Sequence, residues 1–235
     1  LQGSLAAAAD AAPPMLETYR RLARRHAITV LTPSTPERRG TSFVNAAHVV
    51  APSGRSAVVE KAIMTPFERA WGVCAGSALP VVDTPLARIG IAICYDSEFP
   101  LLVRRLVEAG AELLLIPSCT ERITGASRIR TAALARALEN GIAAVVSPTV
   151  GEALWSPAID VNTGRAGVYA PAEHGLSDTG VVIEGDLNEP GFVLGEVDLG
   201  HLARIRLGGE MSNHQDWALQ PGAAPLPAAT VVDLR

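Results

Sequence analysis

The stretch that most constrains this 235-residue chain is Arg-Ile-Gly-Ile-Ala-Ile-Cys-Tyr-Asp-Ser-Glu-Phe-Pro, residues 88–100. Ile89, Ile91 and Ile93 alternate with small residues, the pattern of a short strand buried on both faces in a parallel sheet. The strand stops at Cys94. Residues 95–98 carry turn and helix-start chemistry, and Pro100 suits the first turn of a helix whose apolar face continues through Leu101, Leu102, Leu106 and Val107. A cysteine at that junction lies at the carboxyl edge of the sheet, where open α/β proteins keep their sites. It also faces the positive end of a helix, which favours thiolate. Cys94 is therefore the candidate nucleophile, although taken alone a strand-end cysteine is more often a packing residue.

The flanking pattern predicts the rest of the architecture. Residues 15–26 place Met15, Leu16, Tyr19, Leu22 and Ala23 on one helical face and four arginines off it, the pattern of a surface helix with a solvated basic side. A strand is expected at 27–31, a polar loop at 33–40, and a hairpin made of strands at 43–50 and 57–59 around Pro52-Ser53-Gly54. Residues 60–80 read as a long loop, a length that often carries function. Beyond Cys94 come a helix ending at Gly110, a strand at 112–117, a helix at 127–140 stopped by Gly141 and a strand at 143–147. That alternation implies right-handed crossovers in a parallel or mixed sheet. Short strands at 158–161, 166–169, 180–184 and 192–197 suggest a meander forming a second sheet. A short helix follows Leu199, and the Pro/Ala-rich end, 218–235, is expected to be a mobile tail on what is otherwise one domain over residues 1–235.

Composition narrows the function. With 48% hydrophobic residues the chain can bury a sizeable core, whereas a net charge of −4 with scattered arginines gives no electrostatic footprint for nucleic acid. Cys74, Cys94 and Cys119 show no paired spacing and the five histidines no ligand spacing, so no metal site is expected. An odd cysteine count without a secretory signal points to a reducing, cytoplasmic setting, and no apolar run approaches a membrane span.

Lys61 to Glu68, reading Lys-Ala-Ile-Met-Thr-Pro-Phe-Glu, followed by residues 88–100, Ile116-Pro117-Ser118, the Ala-Arg-Ala-Leu-Glu-Asn run at 135–140 and residues 147–151, together resemble the nitrilase superfamily of carbon-nitrogen hydrolases. The resemblance runs from about Met15 to Trp217. It implies a four-layer αββα sandwich and a Glu-Lys-Cys triad without a cofactor. A glutamate takes the cysteine proton, the thiolate attacks an amide carbonyl or nitrile carbon, and a lysine with a backbone N–H stabilises the charge that develops. Carried over residue by residue, Cys94 is the nucleophile, Lys61 the lysine, Tyr95 the source of the backbone N–H, and Glu68 a second glutamate that positions substrate or lysine. Cys119, just past a strand end, borders the pocket or simply packs, and Trp71 in the lysine loop lines the entrance or anchors the loop. Glu139 and Asn140 read as helix-end structure.

The departure lies upstream. In this family an N-terminal strand-helix-strand portion delivers the catalytic glutamate after its second strand, and nothing before Met15 resembles that. Glu17 on the first helix and Glu37 in the polar loop lack the expected context. The expectation is a chain missing that portion or a member without the base. Tyr95-Asp96 after the cysteine resembles amidases and N-carbamoyl hydrolases rather than true nitrilases, so the expected reaction is hydrolysis of a small-molecule amide or N-carbamoyl bond, with nitrile hydrolysis second. A non-catalytic binding or regulatory member is the alternative from another class. A Cys-His hydrolase using His26, His48, His174, His201 or His214 has no local signature to support it. The resemblance also implies a homodimer or larger homo-oligomer.

Overall fold

The computed structural model describes residues 2–156, 158–220 and 230–234. Helix α1 (Gln2–His26) leads to β1 (Val30–Leu31), β2 (Thr35–Arg39), β3 (Ser42–Val50) and β4 (Ser56–Glu60). One-turn helix α2 (Pro66–Ala70), β5 (Val73–Cys74), β6 (Pro80–Asp83) and β7 (Arg88–Ile91) follow. After a 3-10 turn at Cys94–Glu98 come α3 (Pro100–Glu108), β8 (Leu113–Ser118), α4 (Ile123–Asn140) and β9 (Ala143–Pro148). The remainder comprises β10 (Gly151–Glu152), β11 (Val161–Asn162), β12 (Gly167–Tyr169), β13 (Val181–Glu184), α5 (Leu199–Gly208), α6 (Asn213–Asp216) and β14 (Thr230–Asp233).

Among the described residues the strands make two main sheets. The larger runs β13-β12-β9-β8-β7-β6-β14, with β7, β8 and β9 parallel at its centre. The smaller is built around β3, which pairs with β1 and β2 along one edge and with β4 and β5 along the other. Ala47 and Val49 of β3 and Ala57 and Val59 of β4 meet Val82, Ile89, Ile91 and Ile93 of the larger sheet in one buried cluster. That apolar contact joins the sheets face to face. Leu102, Val103, Leu106, Ile129, Ala133 and Ala137 of α3 and α4 cover the outer face of the larger sheet. Helix α1 lies against β2 and β3 on the outer face of the smaller one. The result is the four-layer αββα sandwich.

Local chemistry explains the close fit. A Cβ on Gly90 would stand 3.2 Å from the Ala111 Cβ and 3.3 Å from the Leu106 Cβ, so β7 and α3 approach to a distance only glycine allows without adjustment. Helix α4 ends on Gly141 in the left-handed conformation, φ 62°, with its N–H returned to the Ala137 carbonyl.

Several expectations are corrected. Helix α1 begins at Gln2 and runs through Pro13 and Pro14. The two prolines remove backbone donors, but Leu5, Ala9, Ala12 and Ala23 form a buried stripe at helical spacing, and that burial outweighs the loss. Its arginines are not merely solvated: Arg20 donates to the Ser56 hydroxyl and Arg24 to the Ser53 carbonyl. The polar loop at 33–40 is in fact strand β2, whose Glu37 and Arg39 pair with His48 and Glu60. The segment at 192–197 forms no strand, and Phe192 and Leu194 stand exposed. The expected meander is not a second sheet either, because β12 and β13 extend the larger sheet antiparallel to β9. Of the tail at 218–235, residues 221–229 lie outside the described residues, but Thr230–Asp233 pairs parallel with β6 and Leu234 enters the core between the sheets.

Candidate active site

Two chain segments, one from each sheet, build the site. The first leaves β4 at Lys61. The Lys61 backbone N–H donates to the Asn45 carbonyl of β3, and its carbonyl accepts from Gly76. Its side chain turns inward, only 3% exposed, and Nζ lies 2.5 Å from Glu68 Oε2. Glu68 is presented by α2, where Thr65 and Glu68 form a reciprocal capping box with Pro66 starting the helix. The same Oε2 accepts from the Thr65 N–H at 2.8 Å and the Thr65 hydroxyl at 2.9 Å, while Oε1 accepts from Asn45 Nδ2 at 2.9 Å.

Burial alone would push the Glu68 carboxyl up. The Lys61 charge and hydrogen bonds from Lys61, Asn45 and Thr65 outweigh it and hold the carboxyl below the usual carboxylate range. An ionised carboxylate with four donors on it is a poor proton acceptor. Its geometry is that of a group that holds a lysine in place.

The second segment leaves β7. Its last turn puts Cys94 at φ 52°, a left-handed backbone that costs a β-carbon residue on the order of 1 kcal/mol. The Ser97 hydroxyl stabilises the turn by donating to the Cys94 carbonyl at 2.7 Å. Arg136 of α4, itself buried, donates to the Ser97 carbonyl at 3.2 Å and pairs with Glu139, while Asn140 donates to the Arg136 carbonyl. The helix-end reading of Glu139 and Asn140 therefore extends to bracing the cysteine turn. β7 and β8 are parallel neighbours, so the residues after their carboxyl ends meet: Cys94 Sγ lies 3.7 Å from the Cys119 carbonyl.

Burial pushes the Cys94 thiol up, and the Lys61 charge together with the backbones of Cys119 and Tyr95 only partly offsets it. This corrects the expectation of a thiolate favoured by a helix end. The residue opens a 3-10 turn, α3 begins only at Pro100, and desolvation is the larger effect. The Tyr95 backbone lies close enough to the Cys94 sulfur to lower its thiol.

Two further residues were not singled out as site residues in the sequence. Asp96 is buried, and its carboxylate accepts from the backbone N–H of Ala62 at 3.1 Å and of Ile63 at 2.8 Å. Asn45 shares a face of β3 with Ala47 and Val49, which meet the other sheet, and from there reaches Glu68; a strand-alternation argument could have placed its face but not its partner. Cys119, exposed as a residue, turns its sulfur toward Asn162, 2.9 Å from Oδ1, and burial pushes its thiol up to about 11. Trp71 stacks obliquely on Phe67 and packs against the cluster of Leu5, Met64 and Val73 beneath α1.

The other candidates are elsewhere. Glu37 and His48 bond each other at 2.7 Å on the face of β3 opposite Asn45. Glu17 is largely exposed and faces Arg20 and Arg24. No described hydrogen bond joins a histidine to Cys94.

A buried lysine-glutamate pair beside a strand-end cysteine, set at the carboxyl edge of an αββα sandwich, defines the class. The sequence pattern of the carbon-nitrogen hydrolase family matches residues 3–204, and the chain belongs to that family. It is 39% identical over 154 residues to a probable hydrolase, YhcX, of Bacillus subtilis, covering 65% of this chain and 30% of that one. To the deaminated glutathione amidase of Mus musculus it is 32% identical over 131 residues, covering 56% and 38%. The chain thus spans about a third of the length of these relatives. The fold matches a carbon-nitrogen hydrolase from Helicobacter pylori G27 with a TM-score of 0.72 at 17% identity, over 85% of this chain and 72% of the other.

Proposed function

We propose that this chain carries the cysteine and lysine of a site that hydrolyses the C–N bond of a small-molecule amide or N-carbamoyl compound through a thioester. The observation that supports this best is Lys61: its ammonium, 3% exposed and held by Glu68, brings a positive charge close enough to Cys94 to lower its thiol, the place where charge develops when a thiolate attacks a carbonyl. Cys94 Sγ attacks the carbonyl carbon, and its proton passes through the base to the departing nitrogen. The oxyanion is stabilised by Lys61 and the Tyr95 N–H. Ammonia or an amine leaves, water adds to the thioester, and the carboxylic acid and the thiol are regenerated. Glu68 keeps Lys61 in place rather than moving the proton, because its four donors occupy it. The base is a glutamate, as the family resemblance implies, and neither Glu17 nor Glu37 has the position for it.

The test is ammonia release from a panel of small carboxamides and ureido compounds by the protein and by Cys94→Ala. Turnover that disappears in the variant, with its melting unchanged, supports the reading; turnover that survives ends it.

A second reading, a non-catalytic binding member, is favoured by one observation: burial raises the Cys94 thiol, and the Glu68 carboxylate that acts on it is held by Lys61, Asn45 and Thr65. It predicts no selective alkylation of Cys94 at neutral pH. Labelling of Cys94 ahead of the exposed Cys74 would argue strongly against it.

A further inference from the structure

We propose that Asp96 is a positioning residue, the polar cross-link that sets Lys61 against Cys94. The inference rests on the reading of Cys94 and Lys61 as the reacting pair. These two residues hang from different sheets: Lys61 follows β4 of the smaller sheet and Cys94 follows β7 of the larger. The apolar contact between the sheets resists separation but does not define a register to within the few tenths of an ångström that charge stabilisation requires. Asp96 supplies that register. It is two residues from Cys94 in the same 3-10 turn, its own N–H returned to the Ile93 carbonyl at 3.1 Å. Its two oxygens each take one N–H from Ala62 and Ile63, the residues directly after Lys61. The covalent path from ammonium-bearing residue to nucleophile-bearing residue is therefore closed by two hydrogen bonds across the sheet interface.

The bond pattern is specific to a carboxylate. Both partners are N–H donors, so two acceptor oxygens are needed; an asparagine in the same rotamer offers one oxygen and turns an NH2 group against the other donor. Packing alone gives no reason for a carboxylate here. Asp96 is 3% exposed, and burial lifts its carboxyl to about 6 in spite of the Ile63, Ala62 and Ile93 backbones and the Lys61 charge, so ionisation at neutral pH costs stability. An ordinary staple would avoid that cost.

The experiment is a double-mutant cycle read on the thiol. Alkylation of Cys94 by iodoacetamide, followed by peptide mass across pH 6 to 10, is measured for the wild type, Asp96→Asn, Lys61→Gln and the double variant, with thermal melts confirming that each is folded. Asp96→Asn is expected to slow alkylation at pH 8 by about tenfold, because the lysine no longer stabilises the thiolate. In the Lys61→Gln background the same change is expected to alter the rate by less than about twofold. A wild-type rate in Asp96→Asn overturns the proposal, and so does an undiminished effect in the Lys61→Gln background, which would make Asp96 a structural residue acting without the lysine.

Should Asp96→Asn not fold, the wild type decides. The amide resonances of Ala62 and Ile63 and the Lys61 Nζ resonance are expected to shift together as Asp96 takes up its proton, and a Lys61 resonance that stays fixed while the amides move overturns the proposal. Alkylation needs no turnover, so failure here leaves the hydrolase reading standing, and activity persisting in Cys94→Ala leaves the cross-link measurable.

Discussion

Lys61 Nζ and Glu68 Oε2 stand 2.5 Å apart with their side chains 3% and 11% exposed, a buried ion pair whose carboxylate is saturated by Asn45 and Thr65. Removing one partner leaves the other charged in a medium that does not solvate it. Glu68→Ala is therefore expected to destabilise the fold by about 3–5 kcal/mol, and Glu68→Gln by less. Chemical denaturation at pH 7 checks both. The sign of the pH effect follows from the lowered Glu68 carboxyl: its stabilisation is present above the unfolded-state value of about 4.3 and fades as pH falls through the folded value.

Asp96 works in the opposite direction. Its carboxyl is raised to about 6 by burial, so between that value and the unfolded one the native state binds the extra proton and its stability rises as pH falls. Relative to Asp96→Asn, which cannot titrate, the wild type is expected to gain on the order of 2 kcal/mol between pH 7.5 and pH 4. Paired denaturation curves at the two pH values measure it. A difference that is flat with pH would mean that Asp96 is not the buried carboxylate described.

The left-handed backbone of Cys94, φ 52°, separates the thiol from its turn. Cys94→Ala keeps the strain and removes the sulfur, whereas Cys94→Gly removes both. The glycine variant is expected to be as stable as the alanine variant or more so, by up to about 1 kcal/mol, and both are expected to be without hydrolytic activity. Melting curves and an ammonia assay distinguish the two effects. Should Gly melt well below Ala, the left-handed geometry is wrong.

Cys119 makes a control for thiol chemistry. Its sulfur lies against Asn162 and its thiol is pushed up to about 11, first by burial and then by Cys94 and Glu121. Its alkylation is expected to remain slow through pH 9 and to rise only near pH 11, although the residue is exposed. Peptide mapping after timed iodoacetamide treatment reads this directly, and fast labelling at pH 8 would contradict it.

The elements legible in the sequence were those whose signals are local. The isoleucines of β7, the apolar runs of β8 and β9, and the Pro100 and Gly141 boundaries of α3 and α4 state their own structure within a few residues. Cys94 was legible as a candidate from its strand-end context, and Lys61 and Glu68 became candidates only through the resemblance to the carbon-nitrogen hydrolases. Strand β2, reading Thr-Pro-Glu-Arg-Arg, was not legible, because its pairing with β3, its contact with His48 and its ion pair with Glu60 are supplied by other strands. The passage of α1 through two prolines was hidden for the same reason: the compensating burial of Leu5, Ala9 and Ala12 exists only against another part of the fold.

By itself, then, the amino-acid order determined which segments become the central strands and helices, and it singled out Cys94, Lys61 and Glu68 as candidates through their family resemblance. Only the tertiary structure decided that Asn45 holds Glu68, that Asp96 joins the lysine segment to the cysteine turn, and that burial pushes the Cys94 thiol up. The physical reason is that each of these depends on distance and dielectric. Asn45 and Asp96 lie 23 and 33 residues from the groups they hold, and desolvation arises only when two sheets close over the site.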